Sequence, residues 1–295
     1  MIEIQGHRGV LATRHGNTLA SFVEALRLGA DAIEVDVWLT SDGQLALRHD
    51  AVIRDADIRL GFLRDAVVEK HPATTTDVDV ETRTPTLAET LALMRFANAT
   101  AVVLDIEVKT EGTAWDEYGQ AIVSALSKVL KAHQHEQALR VRSFDPQIVR
   151  AMAAMLPDVP VTALSRANTG QLPGLYPSAP DSLISTALAT GASAIAPEFG
   201  ILNAQLVTEA HLAGLKVYPW TLVTADEILE ALELRVDGVC VNDIALAHET
   251  LAGQGMALPP ARPISLPLLG FRSYGVTSPL WSKRRPPGEY GRHPL

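Results

Sequence analysis

Four short stretches of this 295-residue chain combine acids, bases and cations at spacings that could do chemistry. Ile33-Glu34-Val35-Asp36-Val37 sets two carboxylates two residues apart, so in a strand both project to one face while their apolar partners project to the other. Acids in so apolar a run are costly to bury. A hard divalent cation, which prefers oxygen ligands, is one remedy, and an ion pair with lysine or arginine is the other. Val102-Val103-Leu104-Asp105-Ile106-Glu107-Val108-Lys109 repeats the alternation and puts Asp105, Glu107 and Lys109 on one face. Glu107 could complete a three-carboxylate metal site with Glu34 and Asp36. The Lys109 ammonium could then meet a phosphate oxygen, or simply neutralise Glu107. Gly6-His7-Arg8-Gly9 holds a base and a guanidinium between glycines, which permit tight backbone geometry and close approach of a ligand.

The fourth stretch, Leu47-Arg48-His49-Asp50, supplies a second histidine. Val37-Trp38-Leu39 and Gln44-Leu45-Ala46-Leu47 flank Thr40-Ser41-Asp42-Gly43, an Asp-Gly turn of hairpin type. Centring that turn between residues 41 and 42 pairs position 34 with position 49 and brings His49 level with Glu34. His7 and His49, converging beside a carboxylate pair, would make a general acid and a general base. The other histidines, His15, His71, His133, His135, His211, His248 and His293, read as ordinary core or surface residues. Trp220, in Tyr218-Pro219-Trp220-Thr221, is either a pocket wall or part of the core. Three acids, two histidines, Arg8 and Lys109 together suit cleavage of a phosphoryl ester assisted by a divalent ion. Other chemistries lack their parts: there is no G-x-S-x-G elbow, Walker loop, G-x-G-x-x-G after a strand, or H-E-x-x-H helix.

Something must bring those four stretches together. Strand-like runs fall near 2–6, 32–38, 44–49, 101–108, 138–143, 159–164, 193–197, 215–221 and 237–241. Helical patterns separate most of them, starting at the Asn17-Thr18 cap and recurring at 86–97, 114–133, 146–155, 203–213, 225–233 and 243–252. Such alternation predicts a parallel sheet. The run at 44–49 returns antiparallel through the hairpin, which leaves the eight parallel strands of a TIM (β/α)8 barrel. Reactive side chains of that fold lie at the C-terminal strand ends, where all four stretches fall. Residues 51–84, charged and without sustained periodicity, read as an insertion after the third run.

The charge distribution is uneven. Residues 256–295 hold Arg262, Arg272, Lys283, Arg284, Arg285 and Arg292 against the lone acid Glu289, so the net −9 divides into +5 on this tail and −14 on residues 1–255. The acidic body argues against nucleic-acid binding and leaves room for a carboxylate-lined cation site. The tail also carries 8 of the 18 prolines, which exclude helices and central strands, and it reads as an irregular extension, either solvated or docking to anionic surfaces or partners. What remains, 1–255, is of barrel size. The 47% hydrophobic content, 20% charged content and mean hydropathy of +0.12 describe an ordinary globular chain. No apolar run approaches the ~18 residues of a membrane span, and Met1-Ile2-Glu3-Ile4-Gln5 lacks the features of a signal peptide, so a cytoplasmic location is expected. The single cysteine, Cys240, forbids an internal disulfide and a multi-cysteine zinc site, and it fits a reducing compartment.

Taken in order, Gly6-His7-Arg8-Gly9, Asn17-Thr18, Ile33-Glu34-Val35-Asp36-Val37, His49-Asp50, Ile106-Glu107-Val108-Lys109 and Trp220-Thr221 resemble the motif series of the glycerophosphodiester phosphodiesterases. The similarity runs from about residue 4 to 247, and the Thr84-Pro85-Thr86-Leu87-Ala88-Glu89 and Val236-Asp237-Gly238-Val239 segments belong to it. The resemblance implies a TIM barrel that hydrolyses small glycerophosphodiesters to glycerol 3-phosphate and an alcohol, with calcium or magnesium. By the same matching Glu34, Asp36 and Glu107 hold the metal, His7 and His49 exchange protons with the attacking and leaving oxygens, and Arg8 and Lys109 hold the phosphate. The family's usual route is attack by the glycerol 2-hydroxyl to give a cyclic phosphate that water opens; direct attack by water is the variant. Two departures bear on the substrate mouth. Gly16 stands where the family usually has glutamate, and Arg54-Asp55-Ala56 occupies the place of an Arg-Thr-Thr pattern. They leave open a lysophospholipid or sugar-phosphate diester, which would call for a large apolar groove beside Trp220. A catalytically silent barrel that binds phosphodiesters is the reading outside enzymes.

Overall fold

The computed structural model describes residues 2–41, 43–53, 61–62, 84–110, 115–167, 177, 179–259, 261–262 and 264. Eight parallel strands run in the order β10-β9-β8-β7-β6-β2-β1-β11: β1 (Glu3–Gly6), β2 (Ala32–Leu39), β6 (Val103–Val108), β7 (Leu139–Ser143), β8 (Val161–Ser165), β9 (Ala194–Pro197), β10 (Lys216–Val217) and β11 (Gly238–Val241). The ends of this path meet through Asp237 N–H to Val217 O at 3.0 Å and Leu222 N–H to Cys240 O at 2.9 Å, so the sheet closes on itself. β3 (Leu45–Leu47) pairs antiparallel with β2 off the barrel, as expected, and a second small sheet pairs β4 (Val52–Ile53) with β5 (Gly61–Phe62). With helices between successive parallel strands, the architecture is a TIM barrel.

The helices are α1 (Leu19–Leu28), α2 (Leu87–Phe96), α3 (Glu117–His133), α4 (Pro146–Met155), α5 (Pro180–Ala189), α6 (Ala204–Leu212), α7 (Ala225–Glu233) and α8 (Ile244–Gly253). Local chemistry fixes their ends. Thr18 caps α1 by accepting from Ser21 N–H, and Thr86 and Thr224 form reciprocal boxes with Glu89 and Glu227 at the starts of α2 and α7. α5 was not among the expected helices. Its segment is rich in serine and threonine, and its N-terminal neighbour Ala179 makes no side-chain cap; burial of Leu183, Ile184 and Ala187 holds it instead.

One correction concerns the hairpin. The observed pairs are Val37 with Leu47, Trp38 with Ala46 and Leu39 with Leu45, a register one residue away from the expected pairing of 34 with 49. The connection is a five-residue loop, 40–44, closed by Thr40 N–H to Gln44 O and Gly43 N–H to Thr40 O, each 2.9 Å, and by the Thr40 hydroxyl. A one-residue slip in a continuous strand would turn His49 to the other face. Here β3 ends at Leu47, after which Arg48 N–H still donates to Asp36 O, and His49 lies free of the ladder.

The apolar core lies between barrel and helices, where Ile33, Val35, Val37, Leu104 and Ile106 point outward onto Phe22, Leu26, Leu126 and their neighbours. The barrel interior is different. Asp105, fully buried, contacts both Arg140 and Arg142; Arg140 also reaches Glu3 Oε1 at 2.6 Å, and Arg142 donates to Gln5 at 2.7 Å. Arg140 and Arg142 outweigh the effect of burial and hold Asp105 below the usual carboxylate range. This ionic plug is the floor on which the strand ends stand.

Residues 54–60 and 63–83 of the expected insertion, and 265–295 of the tail, lie outside the described residues. The described start of the tail has no helix or strand, yet Met256, Leu258 and Ile264 pack against the core. Among the described residues no helix is long and apolar enough to cross a membrane.

Candidate active site

At the C-terminal end of the barrel, Glu34, Asp36 and Glu107 converge, each offering an oxygen within 4.8 Å of the others. The strand register explains the convergence: Asp36 is paired with Glu107 across β2 and β6, and Glu34 sits one step below on the same face. All three are buried. Burial and the charges of Asp36 and Glu107 raise Glu34 well above the usual carboxylate range, and burial likewise raises Glu107. Asp36 moves the other way, because Lys109 and Arg8 outweigh its burial.

The turn after β1 packs tightly onto this cluster. A side chain on Gly6 would place its first carbon 2.2 Å from Gly9 O, and one on Gly9, at φ +90°, would lie 2.3 Å from Ser21 Oγ. Arg8 and Asn17 take left-handed backbone at φ +53° and +58°, uncommon for residues with side chains and frequent at functional turns. The reward is a set of direct contacts. Arg8 N–H donates to Glu34 Oε2 at 2.9 Å, and its Nε lies 3.0 Å from Asp36 Oδ2. Asn17 grips Asp36 at two points, Nδ2 to Oδ2 at 2.7 Å and Oδ1 from the Asp36 N–H at 3.0 Å. Lys109 completes the shell with Nζ 3.0 Å from Asp36 Oδ1 and 2.5 Å from Glu107 Oε1, and these acids push its pKa up to about 12 despite burial. Of the two expectations for Lys109, the contact with Glu107 is present, and the side chain also borders the cavity.

His7 and His49 both line that cavity of about 210 Å³, together with Arg8, Lys109, Arg142, Phe144, Arg166 and Trp220. His7 Nδ1 is 2.7 Å from Asn242 Oδ1, an oxygen that only accepts, so this contact favours the neutral tautomer with its proton on Nδ1 and its lone pair on Nε2. Burial, reinforced by Arg8, lowers its pKa to about 3. His49 Nδ1 contacts Asp50 Oδ1 at 2.8 Å; burial and then Lys109 lower its pKa as well. Trp220 is a wall of the cavity, edge-on to Phe144 with ring centres 5.5 Å apart.

The oxygens fit a hard cation. Glu34 Oε1 is buried without a hydrogen-bond partner, and Asp36 Oδ1 and Glu107 Oε1 face only the Lys109 ammonium. Such orphaned carboxylate oxygens are what a divalent ion of the calcium or magnesium type takes as ligands.

The model of the Glycerophosphoryl diester phosphodiesterase family matches residues 7–246. The chain belongs to that family of enzymes. A glycerophosphodiester phosphodiesterase of Caldanaerobacter subterraneus subsp. tengcongensis is 26% identical over 80% of this chain and 92% of its own length, and one of Bacillus subtilis is 24% identical over 84% and 85%. An Oleispira antarctica phosphodiesterase, solved in complex with the product sn-glycerol-3-phosphate, shares the fold with a TM-score of 0.69 at 21% identity, over 85% of this chain and 96% of its own.

The roles of four residues of the site escaped the sequence reading. Asn17 was visible as part of a helix start and of the motif series, without a partner assigned to it, and Asn242 as a polar residue near a strand end; their partners are 19 and 235 residues away. Arg142 and Arg166 flank Ser143-Phe144 and Ser165 with nothing local to single them out. Of the two family departures, Gly16 is a tight position, where a side chain would start 2.9 Å from Leu11 Cδ1 and 3.0 Å from Arg8 Cβ. Arg54-Asp55-Ala56 lies outside the described residues. Beside Trp220, the described wall of the cavity consists of Phe144, Leu164 and Arg166 rather than a broad apolar groove.

Proposed function

We propose that the chain hydrolyses glycerophosphodiesters to glycerol 3-phosphate and an alcohol, with calcium or magnesium held by Glu34, Asp36 and Glu107. The observation that carries the reading is the cluster itself, three buried carboxylates with their oxygens within 4.8 Å of one another beside two histidines and two cations. Membership of the family supports the reaction, and the product bound by the O. antarctica enzyme is the one this reaction releases. A divalent ion bound there would orient a glycerol hydroxyl and screen the phosphate charge.

The chain's own groups do the rest. His7, neutral with its lone pair on Nε2, takes the proton from the attacking glycerol 2-hydroxyl. Asn242 holds the ring in that tautomer. His49, half-exposed, acts in its protonated form, which Asp50 favours, and gives a proton to the departing alcohol oxygen. The cyclic phosphate so formed is opened by water with the two histidines exchanging roles. Arg8 and Lys109, standing between the acids and the cavity, bind the non-bridging phosphate oxygens. We assign the reaction to the cytoplasm, where the lone buried thiol of Cys240 stays reduced.

Purified protein given a panel of glycerophosphodiesters and either metal should release glycerol 3-phosphate. No release from any member would refute the proposal.

A further inference from the structure

One wall of the cavity carries a cation that the chemistry above does not use. Arg166 directly follows β8, and its guanidinium carbon lies 5.5 Å from the centre of the Phe144 ring. Phe144, at the end of β7, meets Trp220, beyond β10, so this side of the cavity is an aromatic pair with a guanidinium on it. The cavity's other fixed cations face acids: Arg8 faces Asp36, Lys109 faces Asp36 and Glu107, and Arg142 faces Asp105. Arg166 has no carboxylate within ion-pair distance among the described residues. Glu198, across from it, accepts instead from the Ala167 backbone N–H at 3.0 Å. The Trp220 N–H is likewise committed, to Ala196 O at 2.8 Å, so the donors offered by this wall are those of Arg166.

We propose that Arg166 reads the departing alcohol of the diester, and that the preferred alcohol carries an anionic group, a carboxylate or a phosphate. The inference rests on the reaction proposed above. A diester bound there has its phosphate at Arg8 and Lys109 and its glycerol hydroxyls at the acids, so the other arm extends to the wall of Phe144, Trp220 and Arg166. An aromatic pair alone would favour an ammonium, which rests well on a ring face. Here the guanidinium already occupies the Phe144 face. An incoming ammonium therefore meets a like charge, whereas an anion gains a charge-assisted hydrogen bond.

The test compares sn-glycerol 3-phosphodiesters of glycolate, ethylene glycol and ethanolamine, which differ little in size but carry a negative, a neutral and a positive end. A fourth diester replaces the carboxylate with a phosphate. Release of glycerol 3-phosphate should be most efficient for the two anionic alcohols, with kcat/KM about tenfold above the ethanolamine diester, as expected for a charge-assisted contact that is partly solvated. Arg166→Gln should bring that ratio close to one, and Arg166→Lys should keep the order with a smaller spread. Each ratio is taken within one preparation, so loss of folded protein cancels. Equal efficiency across the charges in the native protein, or an anion preference that survives Arg166→Gln, overturns the inference and leaves the reaction standing. No release from any of the diesters overturns the reaction as well.

Discussion

The Lys109 ammonium and the Glu107 carboxylate are in direct contact, 2.5 Å from Nζ to Oε1. The same ammonium spans to Asp36, so it offsets part of the charge that a divalent ion would offset. Replacing Lys109 with methionine removes a competitor of the ion and a ligand of the phosphate at once. Divalent-ion affinity should rise about tenfold, while kcat/KM falls by roughly 10²–10³-fold as an electrostatic contact to the reacting phosphate is lost. Calorimetric titration and steady-state kinetics on one preparation check both; a fall in ion affinity would contradict this arrangement.

Ion binding should also depend on pH. Glu34 lies well above the usual carboxylate range because of burial and its acidic neighbours, and Glu107 is raised too. A raised carboxylate holds its proton to higher pH, and the ion needs the ionised form, so affinity should climb as pH rises through those values and binding should release protons. The climb is at most tenfold per pH unit for each proton released. Titrations in two buffers of different ionisation enthalpy measure the protons directly. Binding with no proton release would show that the acids are already ionised.

His7→Ala and His49→Ala separate chemistry from ion binding. Neither histidine belongs to the acid cluster, so each variant should keep its ion affinity while kcat falls by ~10²–10⁴-fold. Asn242→Ala should lower kcat by a smaller factor, because His7 remains but its tautomer is no longer held. Activity unaffected by either histidine substitution would place the acid and base elsewhere.

The ionic plug under the site makes a stability prediction. Asp105→Asn would leave Arg140 and Arg142 buried without their shared carboxylate. Breaking a buried pair in this way costs about 3–5 kcal/mol. Urea denaturation would read it as a lowered midpoint, and a shift of less than about 1 kcal/mol would mean that Glu3 and Gln5 suffice to hold the two guanidiniums.

These predictions draw on residues of differing legibility in the sequence. Glu34, Asp36 and Glu107 were legible because strand alternation is local: once β2 and β6 exist, the side on which their acids stand follows. His49 was legible by its position after a hairpin, although the five-residue loop moved the register by one and the strand's early end restored its place. Asn242 and Arg142 were not legible, because their meaning depends on which strands become neighbours around the barrel. His7 and Asn242 touch only when β11 closes beside β1. Arg142 becomes part of the floor only through Gln5 and Asp105, 137 and 37 residues away. Helix α5 was missed for a related reason, since its stability comes from buried Leu183 and Ile184 rather than from local capping.

The central claim is that Glu34, Asp36 and Glu107 hold a divalent ion on which the hydrolysis depends. The most direct measurement is glycerol 3-phosphate release from a glycerophosphodiester by protein treated with chelator, before and after calcium or magnesium is restored, alongside Glu34→Gln under the same conditions. The account predicts no turnover after chelation, recovery with at least one of the two ions, and no recovery in the variant. Full turnover by the chelated native protein would contradict it.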